Sequence, residues 1–483
     1  VKNRWMGWRD SLLAKVGLLF VLWLVLCIPL AQIRGLIDER GASQQAAAEE
    51  LAETHVGAQT LAGPYLLVPY VERWREPVRD ANGRVKGQTE HSRQAVHAVF
   101  PQTLALTGQL TPQERYRGLF KVLFYKLAGR MQGQFAPFDA AALPRQVEGS
   151  RLEPGTPVLV VSLSDLRGLE GAPRLTLGGT ALAFERGLPS ALGHHPMAAN
   201  SVQASLGAEA LAAWRHGQAL PFSLDISLTG QRQLAVAPLG EETTARLASA
   251  WAHPSFGGRF LAAERTVGET GFDARWRISA LTTQARAQLA AALAEEGGDR
   301  RAASLDVLDT FDVSMTQPVN VYSMSERAAK YGSLFIGLVL MAVFMVELFR
   351  RLRLHPVQYG LVGLSIAVFF LLLVALSEKT GFALAYAGAA GASVALLAAY
   401  FSAVLGSWRR AGALAGYVAA LYAALYELLA SESNALLLGA LLVFAMLATL
   451  MLATRHVNWW QLGAPAAATP VEAVPGESSL RGH

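Results

Sequence analysis

The chain has 483 residues, 52% of them hydrophobic, with 42 Lys+Arg against 37 Asp+Glu and a formal net charge of +5. That excess does not indicate nucleic-acid binding. Arg34 to Arg327 holds 29 basic and 30 acidic residues, so this stretch is neutral and no basic patch with interleaved aromatics stands out. The single cysteine, Cys27, excludes a disulfide framework and zinc sites of cysteine type.

Lys2, Arg4, Arg9 and Lys15 precede a first apolar run, Val16 to Ile33. It has about the 17–25 residues a helix needs to cross a bilayer core. Pro29, Gln32 and Arg34 crowd the place where a small-residue cleavage site would stand, so the run is expected to be an uncleaved anchor. Asp38 to Ala58 is expected as a membrane-proximal helix with Glu49, Glu50 and Glu53 on a solvated face. After Gly63-Pro64 the pattern changes to strands: Tyr65 to Val71, Ala95 to Leu110, Val158 to Leu163, Leu175 to Phe184 and Phe222 to Pro238. The last contains Thr229-Gly230-Gln231, which reads as a hairpin turn. Ala208 to His216 and Thr282 to Glu296 read as helices.

Four more apolar runs follow: Tyr331 to Leu348, Val357 to Leu376, Gly381 to Leu405 and Ala411 to Leu452. The last is too long for one span and breaks at Glu432-Ser433-Asn434, which makes six spans in all. The expected fold class is an α-helical polytopic membrane protein of six transmembrane helices, with a large β-rich α+β extracytoplasmic domain between the first and second. The expected boundaries are a cytoplasmic N-terminus over 1–15, spans at 16–33, 331–349, 357–376, 381–405, 411–430 and 435–454, a periplasmic domain over 34–328, and an unstructured cytoplasmic tail over 455–483. Charge sets the orientation. Arg350, Arg351 and Arg353 follow the second span, Arg409 and Arg410 the fourth and Arg455 the sixth, whereas the opposite turns carry one lysine, Lys379. Basic loops stay on the cytoplasmic side, so both termini are expected inside and the domain in the periplasm of a bacterial inner membrane.

Motifs of catalysis are missing: no H-E-x-x-H, G-x-S-x-G or G-x-x-x-x-G-K-[ST] occurs. His194-His195 is the one adjacent histidine pair, and neighbouring histidines point apart, so no metal site is assigned. No cofactor is expected either. The densest unusual stretch runs from Trp251 to Phe260. There Trp251, His253, Phe256, Gly257, Gly258 and Arg259 form a candidate contact site, or else a loop that closes the β domain. In the membrane part, Glu347 is expected to pair with Arg350 and Arg351 one turn on. Gly388-x-x-Gly391 and Gly412-x-x-x-Gly416 suggest close helix packing, and a homo-oligomer contact would use the same signal.

At this point the chain resembles the CreD family of inner-membrane proteins along nearly its whole length. The resemblance is carried by Arg327-Ala328-Ala329-Lys330-Tyr331-Gly332-Ser333 and by Phe349-Arg350-Arg351-Leu352-Arg353-Leu354-His355-Pro356-Val357-Gln358-Tyr359. It continues in Leu361-Val362-Gly363-Leu364-Ser365, Leu376-Ser377-Glu378, Gly381-Phe382, Ala435-Leu436-Leu437-Leu438-Gly439 and Thr454-Arg455. In the domain, Gly63-Pro64 and His253-Pro254-Ser255-Phe256-Gly257-Gly258 fit as well. The membrane-turn signature is therefore Glu347, Arg350, Arg351, Arg353, His355, Pro356, Tyr359 and Glu378. The chain departs from the family where Asn320 replaces a frequent aspartate and where Ser433-Asn434 replace an Asp-Tyr pair. The resemblance implies a link to two-component regulation and to envelope stress, with no established molecular activity. The leading expectation is a non-enzymatic effector or scaffold. Its partners would be the lipid bilayer and periplasmic or inner-membrane envelope proteins, not nucleic acid. A transporter or channel component and a membrane enzyme acting on lipid or peptidoglycan are the alternatives.

Overall fold

The computed structural model describes residues 12–79, 85–118, 120–294, 304–316, 321–350, 354–431 and 435–455. The chain forms two compact units, one of Val1–Ala42 with Val319–His483 and one of Ser43–Pro318. Arg351, Arg353, Asn320 and Glu432-Ser433-Asn434, singled out in the sequence, lie outside the described residues.

The first helix, α1 (Leu12–Thr54), is continuous over 43 residues. The expected span Val16 to Ile33 and the expected membrane-proximal helix Asp38 to Ala58 are thus one helix, which ends at Thr54 and not at Ala58. No proline stands between Ile33 and Asp38, and one glycine, Gly35, costs a helix only about 1 kcal/mol.

The second unit holds seventeen strands among its described residues. They are β1 (Gln59–Arg79), β2 (Val85–Val99), β3 (Thr103–Arg117), β4 (Phe120–Phe135), β5 (Arg151–Pro154), β6 (Val158–Leu163), β7 (Arg174–Leu177), β8 (Thr180–Leu182) and β9 (Glu185–Arg186), followed by β10 (Ser201–Ser205), β11 (Leu220–Gln231), β12 (Gln233–Val236), β13 (Glu242–Ser249), β14 (Pro254–Gly258), β15 (Glu264–Gly268), β16 (Gly271–Ser279) and β17 (Phe311–Met315). One sheet runs β14-β17-β12-β1-β6-β10-β9, with β2 and β5 also on β1, and the other runs β15-β16-β13-β3-β4-β11-β7-β8. Side chains of both sheets, such as Leu66 and Val160 from the first and Leu106 and Leu224 from the second, share one buried cluster. The architecture is thus sheet packed on sheet. β3 alternates exposed and buried residues over its first eight positions, as a strand with one face on a core does, while central β6 is buried throughout. Helices α2 (Ala208–Arg215) and α3 (Ala285–Ala294) add Trp214 and Leu289 to the same core.

Three strand expectations are revised. Ala95 to Leu110 is two strands, because Phe100-Pro101-Gln102 interrupts the ladder. Leu175 to Phe184 contains a tight turn at Gly178 and Gly179, both at positive φ (57° and 85°). Thr229-Gly230-Gln231 is no hairpin. β11 stays in the second sheet against β4, and β12 enters the first sheet parallel to β1. The switch turns on Arg232, a non-glycine residue at φ 59°.

The first unit holds α4 (Val321–Lys330), α5 (Gly332–Arg350), α6 (Pro356–Thr380), α7 (Phe382–Leu405), α8 (Trp408–Ala430) and α9 (Ala435–Thr454). Among the described residues five helices, α1 and α5 to α8, are long and apolar enough to cross a membrane. α9 is a further apolar helix.

A carboxylate on β1 ties down the loop before β5. Glu72 is buried and accepts from the Gln146 and Val147 amides, at 3.0 Å each, and from the Ser150 hydroxyl at 2.6 Å. The Ser150 bond, then the Val147 amide, holds the Glu72 carboxyl below its ordinary value of 4.5. A group depressed in this way stabilises the fold fully above the unfolded value and loses that contribution as pH falls through the folded one. Melting curves of the full-length protein from about pH 6 to 3 should therefore fall less steeply for Glu72→Gln than for the parent, from a lower starting stability. Parallel curves would show that Glu72 is not a proton-linked tie.

Candidate functional site

Among the described residues of the membrane-turn signature, Glu347, His355, Pro356 and Tyr359 gather at one end of α6. α6 opens on a capping box. The His355 side chain accepts from the Val357 amide at 3.3 Å, and Gln358 Oε1 accepts from the His355 amide at 2.9 Å. Pro356 occupies the first helical turn, where a missing N–H removes no helical bond. This start places Tyr359 so that its hydroxyl donates to Glu347 Oε2 at 2.5 Å. Lys15 of α1 meets Glu347 Oε1 at 2.7 Å, and the Leu354 amide donates to the same oxygen at 3.3 Å. Glu347 is 4% exposed. The expected pairing of Glu347 with Arg350 is corrected, because the carboxylate turns inward to Lys15, 332 positions away.

Glu378, the last member of the signature, stands at the other end of α6. Its Oε1 accepts from the Tyr322 hydroxyl at 3.1 Å and lies 3.8 Å from Arg40 Nε. Burial, then the Glu378 bond, pushes the Tyr322 phenol up to about 12. Arg34 donates to the carbonyls of Ala329 and Lys330, the last residues of α4. The two carboxylates therefore serve opposite ends of the bundle, and each is joined to α1.

Close helix packing occurs at glycines other than those expected. A Cβ on Gly363 would lie 2.2 Å from Leu26 Cδ1, and one on Gly332 2.8 Å from Leu30 Cδ1. Nothing lies within 4 Å of a Cβ built on Gly391, Gly412 or Gly416. The spacing rule found small residues but could not say which faced a neighbour.

In the second unit, Trp251 to Phe260 contains β14, the edge strand of the first sheet, paired antiparallel with β17. Trp251 turns back on the chain, its indole N–H donating to the carbonyls of His253 and Thr316 at 3.1 and 3.0 Å. Phe256 meets Phe272 and Trp276 edge-on at 5.6 and 5.9 Å between ring centroids. Gly257 faces the buried Asp312, whose oxygens would be 3.0 Å from an added Cβ, and burial raises the Asp312 carboxyl above its usual range. Gly258 is at φ 78°, and its Cβ would be 2.2 Å from the Thr310 carbonyl oxygen, so only glycine fits there. His253 and Arg259 are exposed, with Arg259 3.5 Å from the carboxylate of Asp309. The two aromatics thus pack inward, and the outer surface of the segment belongs to His253, Ser255, Gly258 and Arg259.

His195 is buried with Nε2 2.9 Å from the Ala292 carbonyl and Nδ1 accepting from the Met197 amide, whereas His194 is exposed. Among the described residues no group of three or more His, Cys, Asp or Glu is placed to hold a metal ion.

Apolar helices long enough to span, together with a two-sheet unit inserted after the first of them, define a multi-pass membrane protein. Its sequence matches the family described as Inner membrane protein CreD over residues 11–460. It is 31% identical over 465 residues to the Inner membrane protein CreD of Escherichia coli (strain K12), covering 95% of this chain and 96% of that protein. The chain belongs to the CreD family and is a multi-pass protein of the inner membrane.

The knot at Glu347 is unequal in burial, because the Lys15 side chain is 37% exposed and that of Glu347 5%. Stranding the carboxylate should hurt more than stranding the ammonium, which can reach water along its stem. Lys15→Met should lower stability in reversible micelle unfolding by about 1–3 kcal/mol more than Glu347→Gln does. The reverse order would mean that the ion pair is not what holds this end.

Proposed function

We propose that this chain is a six-span inner-membrane protein, with both termini in the cytoplasm, that works through its two-sheet unit in the periplasm. It acts there by contact, as a non-enzymatic effector or scaffold of envelope stress. The observation that carries the reading is the insertion of a large, charge-neutral sheet-on-sheet unit between the first span and the rest. Orientation is supported by the basic residues Arg350, Arg409 and Arg410 on one set of turns, against Glu378 and Lys379 on the other. α9, with 20 residues, supplies the sixth span. The carboxylates of the signature are already engaged by Lys15, Tyr359, Arg40 and Tyr322, which suits bracing more than chemistry. A link to two-component regulation is part of this proposal and rests on the resemblance to the family alone.

The contact surface we assign is the outer side of the β14 edge, at His253, Ser255, Gly258 and Arg259. In the register with β17, alternate residues of an antiparallel edge strand turn their backbone groups away from the sheet, free to pair with another chain.

Reporter fusions after Gly193 and Thr380 should read as periplasmic, and those after Arg410 and His483 as cytoplasmic. A cytoplasmic signal at Gly193 ends this reading. Photo-crosslinking in intact cells from His253 and Arg259 should give one defined envelope product. Arg259→Ala should weaken that product at nearly unchanged abundance, since the ion pair of this exposed side chain with Asp309 contributes about 1 kcal/mol or less. Abundance that falls in step with function would make the segment a closing strand only.

A further inference from the structure

A cleft of about 420 Å³ opens in the first unit between α5, α8, the end of α7 and α9. Its walls are apolar, with Met341 and Met345 from α5 and Leu414 and Tyr417 from α8, and two guanidiniums, Arg350 and Arg410, stand in its lining. We propose that this cleft binds one anionic phospholipid of the bilayer, its acyl chain along the apolar walls and its phosphate between Arg350 and Arg410.

The two arginines come from different helices yet share one end of the bundle. Arg350 is the last residue of α5, and Arg410 lies in the first turn of α8, after α7 has ended beside it at Leu405. Among the described residues neither side chain has an ion pair or hydrogen bond, unlike those of Arg34 and Arg40, which are engaged within the bundle. Glu347, one turn before Arg350, faces Lys15 and Tyr359 and does not line the cleft. No acidic residue does so among the described residues. The charge at the mouth is therefore uncompensated, and two forked donors match the oxygens of one phosphate. A zwitterionic headgroup would bring an amine that no carboxylate here meets.

Length also fits. The lining on α5 recurs at Leu338, Met341, Met345, Phe349 and Arg350, one stripe of the helix. At 1.5 Å per residue that stripe is about 18 Å long, close to the roughly 15 Å depth of one leaflet. A chain whose phosphate sits at Arg350 would run inward to about mid-bilayer. Methionines suit such a wall, since an unbranched thioether adapts to chains of differing shape.

The test uses the full-length protein in micelles by native mass spectrometry, with phosphatidylglycerol and phosphatidylcholine of the same acyl chains in equal amounts. One phosphatidylglycerol should be retained over phosphatidylcholine by about 30-fold, as expected for two cationic contacts near an anionic headgroup. Arg350→Gln with Arg410→Gln should bring the preference close to unity. Ala413→Trp, which fills the cleft and keeps both charges, should abolish retention of either lipid. The parent competition needs no variant, so it decides the question even if the double variant does not fold. Absence of preference in the parent overturns the proposal, as does a preference that survives in the folded double variant, which would place the lipid elsewhere. Displacement by glycerol 3-phosphate at the same concentration also overturns it, because the ligand would then be a soluble phosphate.

Discussion

The constraint on which the membrane unit depends is the fastening of its first helix. The chain leaves the unit at Ala42, within α1, and returns only at Val319, so this part of α1 is held by contacts between residues some 300 positions apart. They form a ladder. Lys15 pairs with Glu347, the Trp23 indole donates to the Ser333 carbonyl, Leu26 fills the space over Gly363 and Leu30 that over Gly332. Arg34 caps α4 and Arg40 meets Glu378. The apolar rungs at 26, 30 and 37 are the buried residues of this part of α1, while Val21, Leu24, Val25 and Ile28 are exposed as lipid-facing residues should be. One face of one helix thus carries apolar packing along its length and charged ties near its ends. The motif residues Gly332, Gly363, Glu347, Tyr359 and Glu378 all take part in this ladder or sit one bond from it.

That account explains why the membrane part was so legible in sequence and its pairing was not. Apolar runs of helical length depend on composition alone, and Pro356 with Gln358 announces the start of α6 locally. Partner choice is different in kind. Arg350 lies one turn from Glu347 in sequence, but Lys15 lies next to it in space, and only tertiary packing decides between them. The same holds for the glycines. Gly388, Gly391, Gly412 and Gly416 have the spacing of a close contact, yet the close contacts are at Gly332 and Gly363, where a leucine arrives from the far end of the chain. In the β unit the alternation within β3 could be read, but the change of sheet at Arg232 could not. A Gly between two apolar stretches is the same local signal for a hairpin and for a strand passing over a crowded neighbour. Gly230 is the second case, because a Cβ there would strike the hydroxyl of Tyr125.

The family motif in the second unit has a steric origin of its own. β14 must approach β17 where Asp312 is buried, and Gly257 leaves the room its carboxylate needs. Gly258 must take positive φ to turn Arg259 toward Thr310 and Asp309, and the Arg259 amide donates to the Thr310 carbonyl at 2.7 Å. Phe256 meanwhile anchors the edge strand to the rings of Phe272 and Trp276 on the facing sheet. Rigid anchoring inside and a polar margin outside are not competing properties of this segment. A strand edge can present its backbone reproducibly only if its own side chains are fixed.

Inside the bundle a cluster of buried hydroxyls on two helices is satisfied at short range. The Tyr386 hydroxyl donates to the Tyr422 carbonyl at 2.7 Å, and the Tyr422 hydroxyl lies 3.0 Å from Ser393 Oγ, with Phe369 packed against both rings. In a medium without water such hydroxyls must find partners within the protein. They do so on α7 and α8, the helices that make no bond to α1 among those above, so these helices cohere by hydroxyl and ring contacts where α1 coheres by leucine packing and charged ties. Hydroxyls engaged in this way brace the two helices from within. Arg350 and Arg410 differ from these groups, because among the described residues both line the apolar cleft with no side-chain partner, so their charge is left for the ligand proposed above.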